Sequence, residues 1–174
     1  MIQRPLVSEY PDYYAPYVNL VPEGDLLAIL NEGLEKTIDL FEGLSEEQEH
    51  FRYAPGKWSV KEVLGHMTDT ERVMSYRLLR IGRGDQTPLA GFNENDYIAG
   101  SVFDQLPIQT ILEDFIATRK ASITLIKTMP EEAWQRTGIA NNLSNSSRAL
   151  AYIIAGHAIH HGNIIKERYL PGLR

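Results

Sequence analysis

One segment of the chain has little freedom in where it can be placed. The run from Leu150 to Ile165 is almost wholly apolar, yet it contains Ala155-Gly156-His157-Ala158-Ile159-His160-His161-Gly162-Asn163. A helix apolar on nearly every side has to be buried by the rest of a fold. At about 100° per residue, Leu150, Ile154, His157, His161, Ile164, Ile165 and Arg168 share one face. The two histidines lie near its middle, and His160 turns to the flank. An imidazole aimed into a core leaves ring nitrogens that need partners, and two stacked four residues apart double the demand. Two answers are open at this point. A core histidine often bonds a backbone carbonyl, and an i, i+4 pair can also bring both rings onto one divalent ion, the spacing that underlies helical H-x-x-x-H zinc sites.

The rest of the chain bounds what such a helix can serve. At 174 residues there is enough chain for one domain with a sizeable core, read here as residues 1–174, and too little for two comfortable ones. A net charge of −6 and a pI near 5.4 supply no electrostatic footprint for nucleic acid or an anionic membrane. Cysteine is absent, which removes disulfides, cysteine-ligated zinc and a cysteine nucleophile together, so any metal must use nitrogen and oxygen ligands. Met1 to Leu20 has prolines at 5, 11 and 16 and no apolar core of signal-peptide length, and no later segment approaches a membrane span. The expectation is a cytoplasmic protein without nucleic-acid or membrane partners.

Four long helices follow from the periodicity. Residues 1–21, with Tyr10, Tyr13, Tyr14 and Tyr17 set between prolines, read as an ordered strap across the body, with a lid or dimer contact as the functional alternative. Pro22 is expected to open helix A, whose stripe of Leu27, Leu30, Leu34, Thr37, Ile38 and Phe41 runs to about Gly43. Ser45-Glu46-Glu47-Gln48 and Ser59-Val60-Lys61-Glu62 are capping boxes for a short helical turn and for helix B. Helix B carries Val60, Val63, Leu64, Met67, Met74, Leu78 and Ile81 to about Gly82. From Arg83 to Leu106 only Asn93 to Ala99 suggests a turn of helix, and Arg83-Gly84-Asp85 reads as a helix stop, not an integrin-type signal. So long a connection suits two successive parallel helices, between which the chain must return along the bundle. Helix C begins at Pro107 and runs through Ile108, Ile111, Leu112, Phe115, Ser122, Ile126 and Met129. A short turn at Pro130 to Trp134 and a polar loop from Gly138 to Ser147 lead to helix D, which ends near Tyr169.

The halves echo each other: a helix end, a short turn and a loop precede Gly65-His66 in one and Gly156-His157 in the other. His66 alone sits at the edge of its stripe beside Thr70 and Val73, where a hydrogen-bonded partly buried histidine is the ordinary reading. The echo makes it a candidate third ligand. His66, His157 and His161 would then form an all-imidazole tripod with open positions, as in catalytic sites, suited to zinc or nickel above iron. Glu62 and Asp69 are candidates to orient His66, or else are solvated helix charges. Arg77, on the same ridge, could hold an anionic substrate group or make a salt bridge within the bundle.

The stretch Trp58-Ser59-Val60-Lys61-Glu62-Val63-Leu64-Gly65-His66-Met67-Thr68-Asp69, then Tyr76-Arg77, Arg83-Gly84-Asp85, Thr87-Pro88-Leu89, Gly91-Phe92 and Gly156-His157 with His160-His161, resembles the DinB-like (YfiT-like) metalloprotein superfamily. The resemblance spans nearly the whole chain. It implies an all-α, four-helix bundle of up-down-down-up order with the long crossover already expected, usually a homodimer, and a divalent metal on His66, His157 and His161. Some members of that superfamily are thiol-dependent transferases, and many have no assigned reaction. Three functions are therefore carried forward. A metal-dependent transferase would bind a low-molecular-weight thiol as thiolate and deliver it to a small electrophile, supplying the nucleophile that a cysteine-free chain lacks. A hydrolase would use metal-bound hydroxide instead. A non-catalytic stress-response binding module is the third.

Overall fold

The computed structural model describes residues 2–173; Met1 and Arg174, at the ends of the expected strap and domain, lie outside the described residues. In chain order the helices are α1 (Ala15–Leu20), α2 (Leu26–Phe41), α3 (Glu46–His50), α4 (Val60–Gly82), α5 (Glu94–Ala99), α6 (Ile108–Lys127) and α7 (Ser147–Ile164). Both capping boxes form. The Ser59 hydroxyl accepts the Glu62 N–H at 3.1 Å while the Glu62 carboxylate accepts the Ser59 N–H at 2.8 Å. Ser45 and Gln48 exchange the same pair of bonds at 3.3 and 2.9 Å. At the start of helix A the expectation fails: Pro22 precedes the helix and Asp25 caps it, its carboxylate accepting the Leu27 N–H. Gly24, at φ +137°, breaks the backbone between the two competing start signals. Pro107 is likewise the residue before α6, not its first. Helix D stops being α-helical at Ile164 and continues as a wider π-helical turn over Ile165–Tyr169.

α2 and α4 each pack on both α6 and α7. His66, early in α4, meets His157 and His161 late in α7, so these two helices are antiparallel. Glu71 in the middle of α4 bonds Arg119 in the middle of α6, and Gly82 at the end of α4 lies against Met129 just beyond α6, so α4 and α6 are parallel. The up-down-down-up four-helix bundle follows, with residues 83–107 as the return crossover. Arg83-Gly84-Asp85 is the stop at its start: the Arg83 N–H closes on the Leu79 carbonyl, Gly84 turns at φ +84°, and the Asp85 carboxylate takes the Arg80 guanidinium.

The expected loop from Gly138 to Ser147 is instead a hairpin of β1 (Thr137–Ala140) and β2 (Leu143–Ser146). Its turn residues Asn141 and Asn142 both have positive φ, 51° and 61°, which two asparagines tolerate and the twist of a two-residue hairpin requires. Pairing is extended by the crossover: the Leu89 N–H bonds the Ile139 carbonyl and the Asn141 N–H bonds Leu89. Gly138 lets β1 lie on α4, since a Cβ there would meet Ile81 at 2.7 Å.

The buried apolar side chains fall into two clusters. One centres on Leu30, Leu78, Ile126 and Leu150, and the other on Phe41, Leu64, Phe115 and Ile165. Between them lies a polar layer. Its anchor is Arg119, 1% exposed, whose guanidinium gives Glu71 a two-pronged pair at 2.8 and 2.7 Å and rests 5.2 Å over the Phe115 ring. The strap is ordered as expected. Arg4 donates to the Val18 and Val21 carbonyls, Arg148 and the Ser146 hydroxyl hold Glu9, and α1 lies on α7 so closely that a Cβ on Gly156 would be 2.0 Å from the Tyr17 carbonyl oxygen. Among the described residues no helix is long and apolar enough to cross a membrane.

Candidate metal centre

The three histidines picked out from the sequence come together. His157 Nε2 lies 3.1 Å from His66 Nε2 and 3.1 Å from His161 Nε2, and one nitrogen from each ring falls within 4.8 Å of the others. Two glycines make the approach possible: a Cβ on Gly65 would meet the Phe103 ring at 2.3 Å, and Gly156 seats the strap. Each Gly-His step thus places a histidine where its neighbour clears the packing. All three rings are buried, and burial, helped by the neighbouring imidazoles, disfavours their protonation. His66 is brought down to about 4, and His157 and His161 fall well below the usual histidine range, with Arg119 adding to the effect at His157. At neutral pH the trio is therefore three uncharged imidazoles presenting ring nitrogens to one point.

The chemistry of that set fits a cation. A ring nitrogen has one in-plane site, as donor or as acceptor, and His157 Nε2 faces two partners at equal distance, so it cannot make a linear hydrogen bond to both. A zinc–nitrogen distance of about 2.0–2.1 Å asks for ring nitrogens a little over 3 Å apart, as the His157 nitrogen is from each of the other two. His161 Nδ1 is buried with no hydrogen-bond partner among the described residues.

Neither carboxylate candidate bonds His66 among the described residues. Glu62 is spent on the Ser59 N–H and on Arg52, because its place in the first turn of α4 commits it to the cap. Asp69 faces Arg72 at 3.7 Å. His66 instead has the Thr70 hydroxyl 3.5 Å from Nδ1 and the Trp58 ring 4.7 Å away. Arg77 makes no salt bridge among the described residues, so the salt bridge within the bundle that the sequence also allowed is not formed. Its guanidinium donates to the Ala90 carbonyl at 2.8 Å and to the Met74 sulfur, and lies 5.8 Å over Phe92.

A cavity of about 230 Å³ opens on the trio, walled by Tyr13, Tyr14 and Tyr17 from the strap, Trp58 just before α4, Arg77 of α4, Phe92 and Glu94 of the crossover, and Asn141 from the hairpin tip. A second, of about 240 Å³, reaches His161 and Trp58 from the other side, past Tyr53, Lys57 and Tyr169. Tyr17 packs edge-on against both His157 and His160, and burial raises its pKa. Asn141 and Glu94 are cavity residues that the sequence reading did not single out. Adjacent asparagines were the available sign of a tight turn that would project a side chain.

Fold and site together define a class: a four-helix bundle built around a buried three-histidine centre with a cavity at its open side. A profile of the DinB superfamily matches residues 29–165, and the chain belongs to that superfamily. Among solved structures it is similar to YfiT from Bacillus subtilis, described as a probable metal-dependent hydrolase with an unusual four-helix bundle topology, at TM-score 0.76 and 17% identity over 84% of this chain and 85% of that one. It is also similar to a mycothiol-dependent maleylpyruvate isomerase, at TM-score 0.68 and 11% identity, covering 84% of this chain and 61% of the other. At these identities the likeness shows the shared fold. A search of curated proteins by sequence gives no match.

Proposed function

We propose that this protein is a metal-dependent enzyme acting on small molecules, with His66, His157 and His161 holding one divalent transition ion, zinc or nickel. The observation that carries the reading is the convergence of three neutral, buried Nε2 atoms beside a cavity. When bound there, such an ion supplies Lewis acidity that lowers the pKa of a thiol or water brought to its open side. The chain's own residues do the rest. Thr70 and Trp58 set the His66 ring, the tyrosines of the strap shield the centre from bulk water, and Arg77 offers a fixed positive charge along the cavity wall.

Transfer of a low-molecular-weight thiol to an electrophile is the reaction we favour, because two cavities meet at His161 and Trp58 and two organic reactants need two berths. The likeness to a mycothiol-dependent enzyme supports it. Hydrolysis is the second reading, supported by the likeness to YfiT. Elemental analysis of tag-free protein reconstituted with zinc or nickel is expected to find about one ion per chain. His161→Ala is expected to lose it while keeping the helical circular dichroism. A wild-type protein that retains no near-stoichiometric metal refutes both reactions. With metal bound, thiol conjugation to a model electrophile is expected to exceed ester hydrolysis, and the reverse order selects the hydrolase.

A further inference from the structure

Four charged side chains are buried among the described residues, and three of them meet an opposite charge. Glu71 and Arg119 pair with each other, and Lys61 has Glu49 at 4.0 Å as well as the Asp104 carbonyl. Arg77 is the exception: at 3% exposure its five N–H donors have one carbonyl, one thioether, the Tyr14 hydroxyl and an aromatic face, and it makes no ion pair with a carboxylate among the described residues. A guanidinium taken from water without a counter-ion is costly, and this one faces the cavity that opens on the histidines.

Its placement along the helix is regular. His66, Thr70, Met74 and Arg77 follow one another on the ridge of α4 that walls the cavity. Arg77 stands eleven positions beyond His66, about 16 Å along the axis at 1.5 Å per residue. Helical side chains lean toward the N-terminal end, and the Arg77 guanidinium does so, touching the Met74 sulfur one turn back. Both side chains line the one cavity, so an acid held by the guanidinium extends along that cavity toward the imidazoles. Tyr14 stands beside the guanidinium: burial raises its pKa, and the charge and hydrogen bonding of Arg77 work against that rise. Glu94 on the same wall adds negative charge, so the cavity suits a monoanion better than a dianion.

We propose that Arg77, with Tyr14, is a carboxylate-binding subsite, and that the substrate is a small organic monocarboxylate held with its reacting end toward the three histidines. This rests on reading the histidines as the reactive centre, but the anion subsite needs no ion and is testable without one. In metal-free protein, titration with valerate and with its neutral counterpart valeramide, followed by amide chemical shifts, is expected to show valerate bound at least ~10-fold more tightly, as a charge-assisted fork contact gives. Shifts are expected along Thr70 to Arg77 and at Ala90. Arg77→Gln is expected to erase the preference. Equal binding of valerate and valeramide, shifts confined to other regions, a preference that survives in folded Arg77→Gln, or tighter binding of inorganic phosphate than of valerate each overturns the assignment. Should Arg77→Gln not fold, the wild-type preference and its shift map decide alone. If the histidines hold no zinc, the valerate preference survives in the metal-free protein; if they do, glutarate is expected to bind the zinc-loaded protein more tightly than the metal-free one, with one carboxylate at each end of the cavity.

Discussion

Gly156→Ala is expected to destabilise the protein although it improves a helix. Gly156 lies inside α7, where alanine is favoured over glycine by about 1 kcal/mol. Its Cβ, however, would sit 2.0 Å from the Tyr17 carbonyl oxygen and 2.5 Å from the carbonyl carbon, where 3.4 Å begins ordinary contact. The obstacle is backbone, so no rotamer change relieves it, and α1 has to lift off α7. Overpacking of this kind costs about 1–3 kcal/mol, and uncovering part of Val18, which is 1% exposed, adds up to about 1.5–3 kcal/mol. Set against the gain in propensity, the net loss is on the order of 2 kcal/mol. For a chain of this length that lowers Tm by roughly 4–8 °C. Gly162→Ala is the control in the same helix: the nearest atom to its Cβ is Leu40 Cδ2 at 4.0 Å, so it is expected to raise Tm slightly. Thermal unfolding of both variants, with hydrogen exchange on residues 15–20, gives the comparison. A Gly156→Ala protein as stable as wild type, with its strap amides equally protected, refutes the account of the strap as packed through that glycine.

Glu71→Gln strands the Arg119 guanidinium in the polar layer and is expected to cost about 3–5 kcal/mol in urea unfolding, while Glu71→Met with Arg119→Leu recovers most of the loss. The Glu9 carboxyl is held below its ordinary value of 4.5, first by its bond to Arg148, so the unfolded chain takes up its proton at higher pH than the folded one. Its contribution is whole above about pH 4.5 and is lost as pH falls through the lowered pKa; the stability difference between wild type and Glu9→Gln, followed by circular dichroism from pH 7 downward, is expected to close over that range. Asn142→Val places a β-branched residue at φ 61° and is expected to cost about 1–2 kcal/mol by the same unfolding assay, with Asn142→Gly neutral or better.

Much of the bundle was legible because its signals are local. The capping boxes at Ser45 and Ser59 and the apolar stripes of α2, α4, α6 and α7 are set by spacing within one helix, and the long crossover from Arg83 to Leu106 already implied two parallel neighbours. The histidines were legible for the same reason: an apolar helix cannot bury His157 and His161 without giving them something to bind. The start of α2 was misplaced because Pro22 and Asp25 are both valid start signals and only the turn at Gly24 decides between them.

What local pattern could not contain were the partnerships made across the fold. The hairpin at Thr137–Ser146 has little β-propensity of its own and exists because the backbone of Leu89 and the side chain of Ile81 give it a surface to lie on. Glu62 is bound to its cap and not to His66, Arg119 finds Glu71, and Arg77 makes no ion pair among the described residues. Sequence spacing determines which face of a helix a side chain occupies; whether that face meets a charge, a ring or a cavity depends on a second helix tens of residues away, and only the packed bundle brings the two together.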